Sequence, residues 1–179
     1  MQSYDYAHRQ GVEAISWDRF TELSAQLVEQ LAAREIDAVV GVARAGLFPA
    51  TRVATALRCD LYPCALSRRI GDTVMFDRPV WSVNVSPAVA GKNIAVVDEI
   101  ADTGQTLTLV AERARDLGAA RVVTACLVRH TWANPAPDVV ALVSDALIVF
   151  PWDQPVYVNG QWQPHPELED ALRLQAARN

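Results

Sequence analysis

Residues 94–107 read Ile-Ala-Val-Val-Asp-Glu-Ile-Ala-Asp-Thr-Gly-Gln-Thr-Leu, and no other stretch narrows the folding options of this chain as far. An apolar run that ends in Asp98 and Glu99 predicts a buried strand delivering two carboxylates at its carboxyl end. Asp102 follows, and Thr103-Gly104-Gln105-Thr106 then opens a stretch with helical periodicity. Such a strand–turn–helix unit holds a sugar and a phosphate side by side. The carboxylates accept hydrogen bonds from sugar hydroxyls, while the turn's N–H groups and the positive end of the helix dipole take the phosphate. The unit lacks Gly-Lys-Ser/Thr, so it is not a Walker loop, and its single glycine is not a Gly-x-Gly-x-x-Gly fingerprint. Helix capping would account for one or two of the acids, but not for the whole ordered string.

A second unit of the same kind lies earlier, at Gly41-Val42-Ala43-Arg44-Ala45-Gly46-Leu47-Phe48-Pro49-Ala50. A strand ends, a short turn follows and a helix begins, which makes an anion site at the helix start with Arg44 as a fixed bidentate charge. Taken alone, this is equally a plain turn with a surface arginine.

Between and beyond these units, strand and helix alternate. Ser16 caps a predicted helix over 17–34, with Phe20, Leu23, Leu27 and Leu31 as its buried stripe. Strands are predicted over 36–43, 60–66, 93–97 and 121–128, and helices over 46–57 and 106–117. The alternation predicts an α/β fold with a doubly wound, mostly parallel sheet. Ligands in such sheets bind beyond the carboxyl ends of the strands, so Arg44 and Asp98 should face one crevice. Residues 68–72 are expected to form an exposed tip, and 74–76 and 80–83 the two arms of a flexible hairpin. Prolines then break residues 135–166 into short segments, expected to form a small C-terminal cap, and 167–177 closes as a helix. The expected organisation is one domain over 1–179, with an extension at 1–15, a core at 16–130 and the cap at 131–179.

At 179 residues the chain is long enough to bury a substantial core, and 51% hydrophobic with 21% charged residues is a globular balance. No apolar run reaches membrane-span length and the first residues carry no signal pattern, so no membrane association is expected. A net charge of −5 weighs against nucleic-acid binding, and an anionic ligand needs a local reversal of charge, for which Arg44, Arg68 and Arg69 are placed. Cys59, Cys64 and Cys126 are an odd set without a Cys-x-x-Cys pair, which points to reduced thiols and a cytoplasmic location.

Residues 94–106 resemble the signature of the type I phosphoribosyltransferase family: apolar residues, two acids, two variable positions, then Asp-Thr-Gly-x-Thr. The resemblance implies an enzyme that attacks C1 of phosphoribosyl pyrophosphate with a nitrogen base and releases pyrophosphate. It implies that Asp98 and Glu99 bind the ribose and hold Mg²⁺, that Thr103, Gly104, Gln105 and Thr106 cradle the 5′-phosphate, and that Arg44, Ala45 and Gly46 form the pyrophosphate loop. Ala45 replaces the glycine that usually follows the arginine there. By the same resemblance Ser67, Arg68 and Arg69 sit on a mobile arm that closes over the pyrophosphate.

The chain is most similar to the xanthine–guanine and hypoxanthine branch of that family. The shared marks are an early Trp17-Asp18 and a late Pro151-Trp152-Asp153 that closes the cap, or hood. This implies a nucleobase partner, Asp102 as the general base at a purine imidazole nitrogen, Asp153 on the metal side, and the backbone of Ile148 at the base edge. Arg129 (or His130) stands where the branch has a lysine that bonds the purine oxygen. Leu147 stands six residues before Asp153, where the branch has a stacking aromatic, so Trp132 or Trp152 could stack in its place. The resemblance further implies a homodimer. Two alternatives stay open: a sensor of the same fold that binds the phosphosugar without turnover, and an enzyme using another acceptor.

Overall fold

The computed structural model describes residues 9–67, 69–70, 73–76, 79–153 and 155–176. Its chain divides into two compact units, residues 22–144 and a second made of the segments 1–21 and 145–179.

In chain order, the elements are β1 (Val12–Ala14), α1 (Trp17–Ala32), β2 (Ala38–Val42), α2 (Leu47–Leu57), β3 (Asp60–Ser67), β4 (Arg69–Ile70), β5 (Thr73–Val74) and β6 (Val80–Val83). A 3-10 turn at Pro87–Val89 leads to β7 (Asn93–Ala101), α3 (Gln105–Asp116), β8 (Arg121–Arg129), β9 (Val139–Val143), β10 (Leu147–Val149), β11 (Val156–Val158), β12 (Gln161–Gln163) and α4 (Pro166–Ala176).

The larger unit is built on a six-stranded sheet ordered β6-β3-β2-β7-β8-β9. All its pairs are parallel except β3 with β6. Every residue of β2 is buried, as a central parallel strand covered on both faces requires. Pleat alternation divides the sheet's faces. Ala38, Val40 and Val42 of β2 join Ile94 and Val96 of β7 in one core cluster with Leu107, Val110 and Ala114 of α3. Gly41 faces the other way, where an added Cβ would stand 2.8 Å from Ala50 and 2.9 Å from Leu47 of α2. Helices therefore cover both faces, and the doubly wound, mostly parallel sheet expected from the sequence is present.

Several local expectations change. Residues 74–76 and 80–83 do not pair with each other. β4 pairs with β5, while β6 adds antiparallel to the sheet edge at β3. Local pattern shows that a segment is a strand but not which neighbour completes its hydrogen bonds. β9, assigned above to the cap, pairs in parallel with β8 and so belongs to the sheet. The strand carrying the acids runs on to Ala101, past the predicted end at residue 97, because β8 keeps pairing with it as far as Arg129.

The smaller unit pairs β1 with β10 in parallel, so part of the expected extension is an integral strand. Leu147, Leu168 and Ala171 form its apolar cluster. Trp152 stacks on Phe150 at 4.8 Å and meets Trp17 and Phe20 edge-on, which makes it a core aromatic of this unit. β11 and β12 form a hairpin around Asn159-Gly160, both at positive φ, the Asn-Gly turn of a two-residue loop. Among the described residues no helix is long and apolar enough to cross a membrane.

Candidate active site at the switch point of the sheet

From β2 the chain moves outward to β3, and then returns to lay β7 on the opposite side of β2. The gap between the carboxyl ends of β2 and β7 is therefore the topological switch point, where open α/β sheets bind ligands. Gly41 is opposite Val97, so residues 43–46 and 98–99 leave the sheet next to each other. The two sequence motifs meet there.

The contact between them is close. A Cβ on Gly46 would stand 2.5 Å from the Val42 carbonyl oxygen, 2.6 Å from Asp98 Oδ1 and 2.9 Å from Asp98 Cα. Only glycine lets the turn approach the acid this far. Gly46 is also the N-cap of α2, with no side-chain cap hydrogen bond; the first helical N–H groups, of Leu47 and Phe48, donate to the Arg44 and Ala45 carbonyls at 3.2 and 3.0 Å, which closes the turn on itself. Arg44 is exposed, Ala45 half-buried, and the Ala43–Arg44 peptide bond is cis.

Asp98 is buried and its Oδ1 accepts the Glu99 backbone N–H at 2.9 Å. Burial pushes the Asp98 carboxyl above the usual carboxylate range. Burial, and then the charge of Asp98, push Glu99 up more strongly. The surrounding wall behaves the same way: burial and the Asp98 charge raise Cys64 to about 12, and both also raise Cys126. Thiols raised in this way carry little thiolate near neutral pH, which makes them poor nucleophiles and metal ligands. Two adjacent acids that ionise reluctantly gain most from a cation or from hydroxyl donors. That chemistry fits Mg²⁺, which is held by few protein ligands plus substrate oxygens. Among the described residues no group of three or more His, Cys, Asp or Glu forms a metal cluster.

The phosphate turn follows. Gly104 lies at φ +84° and is the N-cap of α3, again without a side-chain cap hydrogen bond. Gln105 N–H approaches Thr103 Oγ1 at 3.4 Å, and Gln105 and Thr106 are the first residues of the helix. Asp102 is thus not the helix cap. Its Oδ1 accepts the indole N–H of Trp132 at 3.0 Å.

A third loop, 130–135, leaves the end of β8, the next strand along. His130 N–H bonds the Ala101 carbonyl and Asn134 N–H bonds the Thr103 carbonyl. A Cβ on Gly104 would fall 2.5 Å from the Pro135 carbonyl oxygen, and the Asn134–Pro135 bond is cis. The sequence offers Trp132 equally as a stacking residue and as core of the cap, and not as a partner of Asp102. The signal for its true neighbourhood was its place just past a strand end with an Asn-Pro turn behind it.

The remaining candidates are distributed as follows. Arg129 ends β8, half-buried, opposite Ala101. Arg68 lies outside the described residues, and Arg69 begins the short β4. Leu147, Ile148 and Asp153 belong to the smaller unit. Leu147 is buried against Leu168 and Ala171. Leu147 N–H bonds Gly11 and the Val149 carbonyl accepts from Ile15. By parallel-ladder alternation the backbone groups of Ile148 point to the opposite edge of β10. Asp153 Oδ2 accepts the Phe150 N–H at 2.8 Å, closing its own turn.

The family model for the phosphoribosyl transferase domain matches residues 12–159. The chain is 30% identical over 141 residues to the xanthine-guanine phosphoribosyltransferase of Idiomarina loihiensis, covering 78% of this chain and 85% of that one. The crystal structure of a purine phosphoribosyltransferase from Pyrococcus horikoshii superposes with a TM-score of 0.73 at 28% identity, over 84% of this chain and 99% of that one. Transcriptional regulator GfcR 2 of Methanosarcina barkeri is 37% identical over 108 residues, covering 60% of this chain, which spans about half (51%) of the regulator's length. With its signature loops gathered at one switch point and its family model covering most of its length, this chain belongs to the type I phosphoribosyltransferase family and is a phosphoribosyltransferase.

Proposed function

We propose that the chain transfers the 5-phosphoribosyl group from phosphoribosyl pyrophosphate to a 6-oxopurine in nucleobase salvage in the cytosol. The observation that carries this reading is the switch point itself. There the loop after β2, the acid pair of β7 and the turn before α3 come together with Asp102 alongside. The purine relatives at 30% and 28% identity support the choice of base.

In this reading, Arg44 and the main-chain donors of 44–46 bind pyrophosphate and stabilise its charge as it leaves. Asp98 and Glu99 hold the ribose hydroxyls, and 103–106 hold the 5′-phosphate. Asp98 and Glu99 would also hold Mg²⁺; the ion's contribution when bound is neutralisation of pyrophosphate charge. The purine nitrogen forms a bond to C1 as the bond from C1 to the pyrophosphate oxygen breaks. The imidazole proton passes to Asp102. The side chain of Arg129, at the end of β8, is the candidate for reading the base's polar edge, a role that the resemblance also gives to the backbone of Ile148. Arg68 and Arg69 are assigned to the arm by chain order. The chain would act as one domain over 1–179 and as a homodimer, to be tested by the solution mass against the 19.6 kDa chain.

The test is pyrophosphate release with phosphoribosyl pyrophosphate, Mg²⁺ and each of guanine, xanthine, hypoxanthine, adenine and uracil. Turnover with one or more 6-oxopurines is expected. Asp102→Asn should lower kcat by about 10²–10⁴-fold while sparing phosphosugar affinity. The similarity to the archaeal regulator favours one second reading, a sensor of the phosphosugar. Measurable phosphosugar binding without turnover of any base would support that reading instead.

A further inference from the structure

Loop 130–135 is fastened on both sides of Asp102. Before it, His130 N–H bonds the Ala101 carbonyl at 3.2 Å; after it, Asn134 N–H bonds the Thr103 carbonyl at 3.1 Å. Within the loop, Ala133 N–H closes a turn on the His130 carbonyl at 3.1 Å. Trp132 lies between these ties and donates its indole N–H to Asp102 Oδ1 at 3.0 Å.

The indole is itself fixed from behind. Its ring stacks on the His130 imidazole with centroids 4.5 Å apart and planes 15° from parallel. His130 is fully buried, and its Nδ1 lies 2.5 Å from the Ser144 carbonyl oxygen. The indole thus packs in a favoured stacked geometry on an imidazole that is itself tied to the backbone. Trp132 nevertheless keeps 38% of its surface exposed, more than a ring recruited only for core packing requires.

A carboxylate on a turn can rotate about its side-chain torsions, whereas a proton acceptor must hold one oxygen in line with the proton it takes. A donor locked onto Oδ1 fixes the plane of the carboxylate. We infer that Trp132, backed by His130, is a positioning residue that orients Asp102 for proton abstraction from the incoming base. The inference rests on the assignment of Asp102 as general base. In this role Trp132 acts through the carboxylate it holds rather than on the reacting atoms.

The discriminating substitution is Trp132→Phe, which removes the N–H and keeps a ring to cover His130. It should lower kcat by about 10-fold, with KM for both substrates and the melting temperature unchanged. In an Asp102→Asn background the same change should have no further effect on kcat, since the carboxylate to be oriented is gone. A second measurement does not depend on turnover. The indole N–H resonance of Trp132, identified by its absence in Trp132→Phe, should move upfield in Asp102→Ala. Wild-type kcat in Trp132→Phe beside a crippled Asp102→Asn overturns the positioning role and leaves the base assignment standing. So does an equal kcat loss in both backgrounds, or an indole resonance that ignores Asp102→Ala. Full turnover by Asp102→Asn removes the base assignment and the positioning role with it.

Discussion

Side by side at the end of β7, Asp98 and Glu99 cannot both carry charge comfortably, since burial and mutual repulsion disfavour the second ionisation. Their raised values mean that the folded state holds protons the unfolded chain has already released. Stability should therefore fall as pH rises from the ordinary carboxylate range through the raised values. Glu99→Gln should flatten that fall and raise the melting temperature near neutral pH by roughly 3 °C, as read by calorimetry across a pH series. The same variant should bind phosphoribosyl pyrophosphate more weakly, because the polar ligands that relieve the repulsion lose a partner. A melting curve as pH-sensitive as wild type would show that Glu99 is ionised without penalty. At this scale the sequence was informative about residue types: the acid pair, Arg44 and the Thr-Gly-Gln-Thr turn were all legible. It did not show that Asp102 is tied to Trp132, because a hydrogen bond across 30 residues leaves no periodic trace.

Three turns do the positioning, and each depends on backbone approaching backbone. Gly104 combines φ +84° with a Cβ direction that ends 2.5 Å from the Pro135 carbonyl oxygen. Gly104→Ala should thus cost about 1–3 kcal/mol, seen in denaturant unfolding, and should weaken binding of a 5′-phosphorylated nucleotide as the turn shifts. Gly46→Ala is the parallel case in ordinary helical backbone, where sterics against Val42 and Asp98 act alone. It should lower affinity for pyrophosphate and leave α2 intact, with unchanged helical circular dichroism. The helices and central strands were predictable to within a few residues because their apolar periodicity is strong. Pairing of β6, β9 and β1 was not, since a short strand reads alike whichever edge it joins. The β11–β12 hairpin was readable from Asn159-Gly160, a turn signal the segment-level reading passed over.

For the molecule as a whole, ligand and fold are linked. Phosphoribosyl pyrophosphate with Mg²⁺ at about 100 times its dissociation constant should add about 2.7 kcal/mol, or roughly 5–10 °C in melting temperature. Chelating the metal should remove most of that gain if Asp98 and Glu99 bind the sugar together with the ion. A shift that survives chelation unchanged would separate the metal from the site. What the amino-acid order determined by itself was local and periodic: which segments are strands, which are helices, and which turns carry acids, arginine and glycine. Those features depend on neighbours a few residues away, so they are written in the chain directly. Only the tertiary structure decided that β2 and β7 lie side by side, that Gly46 stands against Asp98, and that loop 130–135 clamps Asp102. Such contacts join distant segments through close packing and hydrogen bonding, and those forces act on where atoms finally lie rather than on their order along the backbone.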